Sequence, residues 1–195
     1  MIKLGEGAEA KIYLTRIFGR AVLLKRREPK KYRIRELDER LRRERTRAEA
    51  RIMLRLSKAG IPAPRPVAVG RFSIYMEMLP GRLLKDARPG AETLRRVGRL
   101  LGAIHGQNIA HGDFTPANIM LSGKRIHIID FGLSEVTNSQ EEKALDLLLM
   151  KRALTKAQYA AFERSYSRSY SKGLAVINRL GEIERRGRYQ IRTLA

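Results

Sequence analysis

Cysteine is absent from the 195-residue chain. That excludes a disulfide framework, thiolate chemistry and any cysteine metal site, and it suits a reducing cytoplasm. Long uncharged apolar runs are missing too, and no apolar segment stands at the N-terminus, so neither a membrane span nor a signal peptide is expected. Acid is scarce: 20 Asp and Glu face 41 Lys and Arg, a formal net charge of +21. Such a field draws polyanions, and the basic residues cluster instead of mixing evenly with acids, which favours a nucleic-acid role. The hydrophobic share of 43% supports a core, and the length suffices for one compact unit or two small lobes around one cleft.

The most informative stretch runs from His111 to Gly132 and reads HGDFTPANIMLSGKRIHIIDFG. Asp113 and Asp130 bracket two short apolar runs, Asn118 follows the first carboxylate by five residues, and Phe131-Gly132 follows the second at once. Taken singly, Asp113 is an ordinary turn residue, Asn118 a cap and Asp130 a strand end. The order and spacing carry the information. Together they resemble the catalytic loop and metal-binding loop of protein kinases. Phosphoryl transfer needs a hydroxyl or water held in line and phosphate charge neutralised by Mg²⁺. Asp113 can orient the nucleophile and take its proton. Asp130 can hold the metal, with Asn118 adding a neutral oxygen that does not repel Asp113; Mg²⁺ usually takes only a few protein oxygens. Gly112 and Pro116 set Asp113 on irregular backbone.

Earlier in the chain, short strands are expected at Ile2 to Leu4, Lys11 to Arg16 and Ala21 to Leu24. The loop Gly5, Glu6, Gly7, Ala8, Glu9, Ala10, followed by Ile12, resembles the kinase glycine-rich loop that covers ATP, with Ala10 at the third glycine position. Lys25 ends an apolar strand, where the kinase phosphate-binding lysine stands; Arg26 and Arg27 read as solvated surface charges. A helix from about Glu36 to Lys58 carries Leu37, Leu41, Ala48, Ile52 and Leu56 as its apolar stripe. Glu49 beside that stripe is the partner for Lys25, with Glu44 competing. The three prolines at 62, 64 and 66 make a stiff extended segment. Phe72 to Leu79 reads as a strand ending, by kinase analogy, in the hinge at Met76, Glu77 and Met78, whose backbone meets the adenine, with Met76 at the back of the pocket; ordinary core packing is the alternative for both methionines.

A second helix is expected from about Ala91 to Gly106, with Gly98 and Gly102 for close packing and His105 as a polar cap. His111 reads as a packed core histidine and His127 as outward-facing. Beyond Gly132 there is no Ala-Pro-Glu and no long activation segment. A helix starts near Glu141 with Ala144, Leu145, Leu148 and Leu149 buried. Asp146, beside that face, is the candidate brace for the catalytic loop. Thr155 caps another helix, Leu174 to Arg186 forms the last one, and a flexible basic end follows.

Nearly the whole chain resembles the small atypical kinase subunit of the KEOPS (EKC) complex. The pieces that carry this are Lys25-Arg26-Arg27 with Lys30-Lys31-Tyr32-Arg33, Arg45-Thr46-Arg47-Ala48-Glu49-Ala50, Gly60-Ile61-Pro62-Ala63-Pro64, HGDFTPANIM, and IDFG before a shortened segment. The resemblance implies an α+β, small bilobal protein-kinase-like fold. Residues 1–79 would form the N-terminal lobe of antiparallel sheet plus helix, 80–186 a truncated helical C-terminal lobe, and 187–195 a basic tail. It implies a serine/threonine kinase and ATPase using ATP and Mg²⁺ in threonylcarbamoyladenosine modification of tRNA. Implied partners are a threonylcarbamoyl-transferase subunit on the C-terminal lobe and a small regulatory subunit on the N-terminal lobe. tRNA would meet the arginine clusters and the tail at Arg186 and Arg188, where Tyr189-Gln190 depart from the family's basic run. Two rivals share some of these features: a tRNA-binding assembly subunit with vestigial chemistry, and a RIO-type or small-molecule phosphotransferase.

Overall fold

The computed structural model describes residues 1–7 and 9–193, with side chains as far as Arg186. The N-terminal half is a five-stranded antiparallel sheet in the order β1-β2-β3-β5-β4, made from β1 (Ile2–Glu6), β2 (Lys11–Ile17), β3 (Arg20–Arg26), β4 (Pro66–Val69) and β5 (Ser73–Glu77). Helix α1 (Arg35–Lys58) separates β3 from β4 and packs on β4 and β5. The ladder past β3 is carried one step further by Arg27 N–H donating to Phe72 O at 2.9 Å.

Helix α1 buries Asp38, Thr46, Glu49, Ala50, Ile52, Met53 and Leu56. The apolar stripe expected through Leu37 and Ala48 is therefore out of phase by a fraction of a turn; both are exposed. Polar partners decide the rotation. Asp38 accepts from Arg42 Nε at 2.6 Å and from Lys30 N–H at 3.2 Å. Thr46 donates back to Arg42 O at 2.7 Å. Burying these groups is tolerable once they are hydrogen-bonded.

The C-terminal half opens with β6 (Arg82–Leu83) and continues through α2 (Ala91–Gly106), β7 (Ile109–Ala110), β8 (Ile119–Ser122), β9 (Arg125–Ile128), β10 (Glu135–Val136), α3 (Gln140–Ala153), α4 (Lys156–Ser169) and α5 (Gly173–Thr193). Strands β6, β8 and β9 form one small sheet and β7 with β10 another. Helices α2 and α4 make the most extensive helix pairing. Gly98 and Gly102 permit it, because a Cβ at either would collide with Phe162 O or Ser169 Oγ across the pair. Thr155 and Gln158 form a capping box that starts α4. One hydrophobic cluster runs through both halves, from Ile52, Met53 and Ile74 to Leu101, Phe114, Leu147 and Phe162.

Several expectations are corrected here. His105 is no cap: it is fully buried between Tyr166 and Asp146. In α3, Leu145 points outward while Lys143 is 1% exposed and donates to Tyr170 Oη at 2.9 Å. His127 is half-buried, with its Nδ1 enclosed and unpartnered. The last helix does not stop near Arg186 but continues to Thr193. Among the described residues no helix is long and apolar enough to cross a membrane.

Candidate active site

The loop that begins at His111 is held from below by one carboxylate. Asp146 is 0% exposed and accepts from His111 N–H at 2.7 Å, Gly112 N–H at 2.9 Å and His105 Nε2 at 3.1 Å. An ionised carboxylate only accepts, so His105 Nε2 carries the proton and Nδ1 takes the Tyr166 hydroxyl proton at 2.8 Å. Burial holds the His105 imidazole below its ordinary range and pushes the Tyr166 hydroxyl up, so both stay neutral. The loop turns at Gly112 with φ +79°, and a Cβ there would run into Leu133 O.

His111 is equally enclosed. Its Nε2 donates to Ile129 O at 3.2 Å and its Nδ1 accepts Asp113 N–H at 3.3 Å, which fits a neutral ring. Burial lowers its proton affinity. The ring lies edge-on to Phe114 and tilted to Phe131. Asn118 then fixes Asp113: its Nδ2 donates to Asp113 Oδ2 at 2.7 Å and to Asp113 O at 2.8 Å. Both donated bonds leave from the amide nitrogen, so the amide oxygen of Asn118 stays an acceptor. Asn118 O also receives Ile129 N–H at 2.9 Å, which ties the loop to the end of β9.

Asp130 follows that point with φ +61°, a left-handed conformation that costs a residue with a side chain about 1–2 kcal/mol and that Asp tolerates better than most. Its Oδ1 accepts from Lys25 Nζ at 2.7 Å and from Gly132 N–H at 3.1 Å. Its side chain is 53% exposed to the cleft. Partial burial raises its proton affinity, but the Lys25 charge and hydrogen bond and the Gly132 bond outweigh this and keep it ionised. Lys25 also reaches Glu49 Oε1 at 2.6 Å. Glu49, 2% exposed, is thus the partner of Lys25, and Glu44 is left exposed on the outer face of α1.

An apolar cavity of about 190 Å³ adjoins these charges, lined by Ile12, Leu23, Met53, Pro64, Met76, Glu77, Leu79 and Met120 with Lys25, Glu49, Asn118 and Asp130. A second cavity of about 210 Å³ continues from it under the loop, between Gly7, Glu9 and Ala10 above and Asp113, Asp130 and Gly132 below. An apolar slot opening into a charged chamber suits a base followed by phosphates. Of the other expected residues, Gly5 and Glu6 belong to β1, and Glu6 pairs with Lys3 outside the cavities. Met78 is 42% exposed; Leu79 lines the slot in its place. Ala8 and the Arg188 side chain lie outside the described residues, and Arg186 is exposed.

The residue that sequence reasoning missed is Arg27. It is 4% exposed, with Nη2 on Glu49 Oε2 at 2.7 Å and Nη1 on Glu9 Oε2 at 3.0 Å. Strand alternation was the available signal: Lys25 and Arg27 are two apart and share the cleft face of β3, whereas Arg26 faces away and is exposed.

Residues 1–176 match the protein kinase domain family. The KEOPS complex subunit Bud32 of Pyrococcus abyssi (strain GE5 / Orsay) is 38% identical, over 96% of this chain and 96% of its own length. The chain belongs to the Bud32 branch of the protein kinases. Likeness to this chain also occurs inside longer proteins. A probable bifunctional tRNA threonylcarbamoyladenosine biosynthesis protein of Methanosarcina acetivorans is 37% identical over 96% of this chain but only 35% of its own length. The chain thus spans about a third of that curated relative. A Rio2 kinase from Chaetomium thermophilum, solved as an ADP/Mg²⁺-phosphoaspartate complex, superposes with a TM-score of 0.65 at 16% identity, covering 97% of this chain and 72% of that one. That likeness speaks for the fold alone. Membership of the Bud32 branch puts the chain among kinase-type phosphotransferases.

Proposed function

We propose that this chain is the Mg-ATP-dependent kinase and ATPase subunit of a KEOPS complex serving threonylcarbamoyladenosine modification of tRNA. One observation carries the enzymatic part: Lys25, Glu49, Asp113, Asn118 and Asp130, drawn from four separate elements, converge on one cavity system. The donor set fits magnesium. A half-exposed carboxylate whose hydrogen bonds both fall on Oδ1, beside an amide with its oxygen still available, is hard-oxygen chemistry. Asp130 and Asn118 are the residues that would hold it. Mg²⁺, when bound, neutralises charge on the nucleotide phosphates. Lys25, braced by Glu49, orders those phosphates. Asp113, oriented by Asn118, accepts the proton of the attacking hydroxyl or water at its carboxylate. Ile12, Leu23 and Met76 enclose the adenine, and the backbone from Glu77 to Met78 meets its edge. The test is Mg-ATP turnover: Asp130→Ala abolishes it, and unchanged turnover refutes the assignment.

A second role is supported by the outer face of α1. Arg40, Arg43, Arg47, Arg51, Arg55 and Lys58 are all exposed and lie opposite Glu49 along about 27 Å of helix. Among the described residues, the ion pairs of this helix are made by Arg35, Asp38, Glu39, Arg42, Arg45 and Glu49 instead. A row of cations with a single acid, Glu44, among them matches the repeating phosphates of RNA, and tRNA is the RNA that the Bud32 relationship suggests. The C-terminal lobe would meet the threonylcarbamoyl-transferase subunit and the N-terminal lobe the small regulatory subunit. RNA affinity is expected to fall steeply with added salt through counterion release; a flat profile rejects RNA contact.

A further inference from the structure

The phosphate chamber already contains a negative group. Glu9 stands on the β1–β2 loop, which is closed by Gly7 N–H on Ala10 O at 2.9 Å. Its Oε2 accepts from Arg27 at 3.0 Å and its Oε1 pairs with Arg45 of α1. The carboxylate is therefore clamped between two guanidinium groups, on the wall of a cavity that also holds Lys25, Asp113 and Asp130. Partial burial raises the proton affinity of Glu9, but the Arg45 hydrogen bond and the charges of Arg45 and Arg27 override this and keep it ionised.

Charge counting makes that arrangement exclusive. The chamber has three carboxylates, Glu9, Asp113 and Asp130, against two buried cations, Lys25 and Arg27. Asp113 and Asp130 are needed for the nucleophile and the metal. Glu9 has no such duty, and a polyphosphate brought in beside it meets like charge in a partly desolvated space. Arg27, in contrast, is held from behind: Nη2 stays on Glu49 Oε2 while Nη1 faces Glu9. Arg27 Nη2 also lies 3.5 Å from where a Cβ on Gly132 would stand, and Lys25 Nζ 3.2 Å, so both cations abut the Asp130 loop. A fixed guanidinium with one edge given to a displaceable carboxylate is a preformed phosphate ligand, since phosphate and carboxylate oxygens present the same acceptor geometry.

We infer that Glu9 is an internal stand-in for phosphate: it latches the loop onto Arg27 and Arg45 when the chamber is empty and is displaced by the polyphosphate tail of a nucleoside triphosphate, which then takes Arg27 as its second cation beside Lys25. This deepens the nucleotide reading above and rests on it. No bond to phosphorus is made or broken in the exchange; one acceptor replaces another.

The test compares the affinities of adenosine, ADP and ATP, each with Mg²⁺, for the unmodified protein, Glu9→Gln and Arg27→Lys. Glu9→Gln removes the competing charge, so ATP binds about tenfold more tightly, the size of one charge-assisted hydrogen bond, while adenosine is unchanged. Arg27→Lys weakens ATP about tenfold and leaves adenosine alone, for the same reason. Adenosine binding doubles as the check that each variant is folded, and Glu9→Gln, altered on a loop, keeps the test alive if the Arg27 variant is not. The latch is overturned if Glu9→Gln leaves the ratio of ATP to adenosine affinity unchanged or lowers it, as a purely structural loop anchor would. It is also overturned if Arg27→Lys shifts both ligands equally. Failure of the unmodified protein to bind either adenosine or ATP overturns the nucleotide reading itself, a result separable from the other two.

Discussion

Two buried carboxylates, one in each half of the molecule, are satisfied in opposite ways. Glu49, 2% exposed on α1, takes its bonds from side-chain cations, Lys25 and Arg27. Asp146, 0% exposed on α3, takes two of its three from backbone N–H groups of the loop it supports, and the third from a neutral imidazole. Charged side chains with several donors can be shared with an arriving phosphate; backbone donors cannot be drawn away without unfolding the loop. The upper centre is thus built to exchange partners and the lower one to stay fixed. The same division shows in the groups beside them: Asp113 takes two bonds from the one amide of Asn118, while Lys25 bridges Glu49 and Asp130 at once.

Breaking each centre in turn should sharpen this contrast. Asp146→Ala leaves two loop N–H groups and His105 without their acceptor. The loss is expected to be about 3–5 kcal/mol in urea unfolding, with turnover lost too. An effect below about 1 kcal/mol would mean that the lower centre is not the brace. Glu49→Gln is the milder change, because the amide oxygen still accepts one bond. Stability should fall by only about 1–2 kcal/mol while Mg-ATP turnover drops at least tenfold. A variant whose stability suffers more than its turnover would reverse the proposed division.

A smaller effect separates the centres by pH. Burial depresses both His105 and His111 below their ordinary value of 6.5. The unfolded chain therefore binds protons first, and stability must fall as pH drops below 6.5, by up to about 1.4 kcal/mol per pH unit for each histidine. Above that value the contribution is fully present. The upper centre has no histidine, so the affinity for Mg-ATP should not follow that fall in stability. Calorimetric melting and ATP titration over the same range would show whether the two curves part.

Much of this site could be read along the chain because its chemistry is local. The intervals among Asp113, Asn118 and Asp130 are set by one loop and one hairpin, and Asp146 stands nearly two helix turns past the start of α3. Arg27, Asp38, Lys143 and His105 were not legible as buried groups. All but Asp38, whose partner Arg42 lies one turn along the same helix, are rendered tolerable by a partner distant in sequence: Glu49 for Arg27, Tyr170 for Lys143, Asp146 for His105. Composition alone makes an arginine after an apolar strand in so basic a chain look like surface. The rotation of α1 escapes the apolar pattern for a related reason. Its inner face is set by Asp38, Thr46 and Glu49, residues that a count of apolar side chains leaves out.

The most direct test of the cleft as a metal–nucleotide site is the Mg²⁺-dependent part of ATP affinity, measured by titration calorimetry with and without the ion, in the unmodified chain and in Asp130→Ala. The expected result is that Mg²⁺ tightens ATP binding in the unmodified chain and does nothing in the variant. An equal gain in both would contradict the assignment of Asp130 as the metal-holding carboxylate, and with it the phosphotransfer reading.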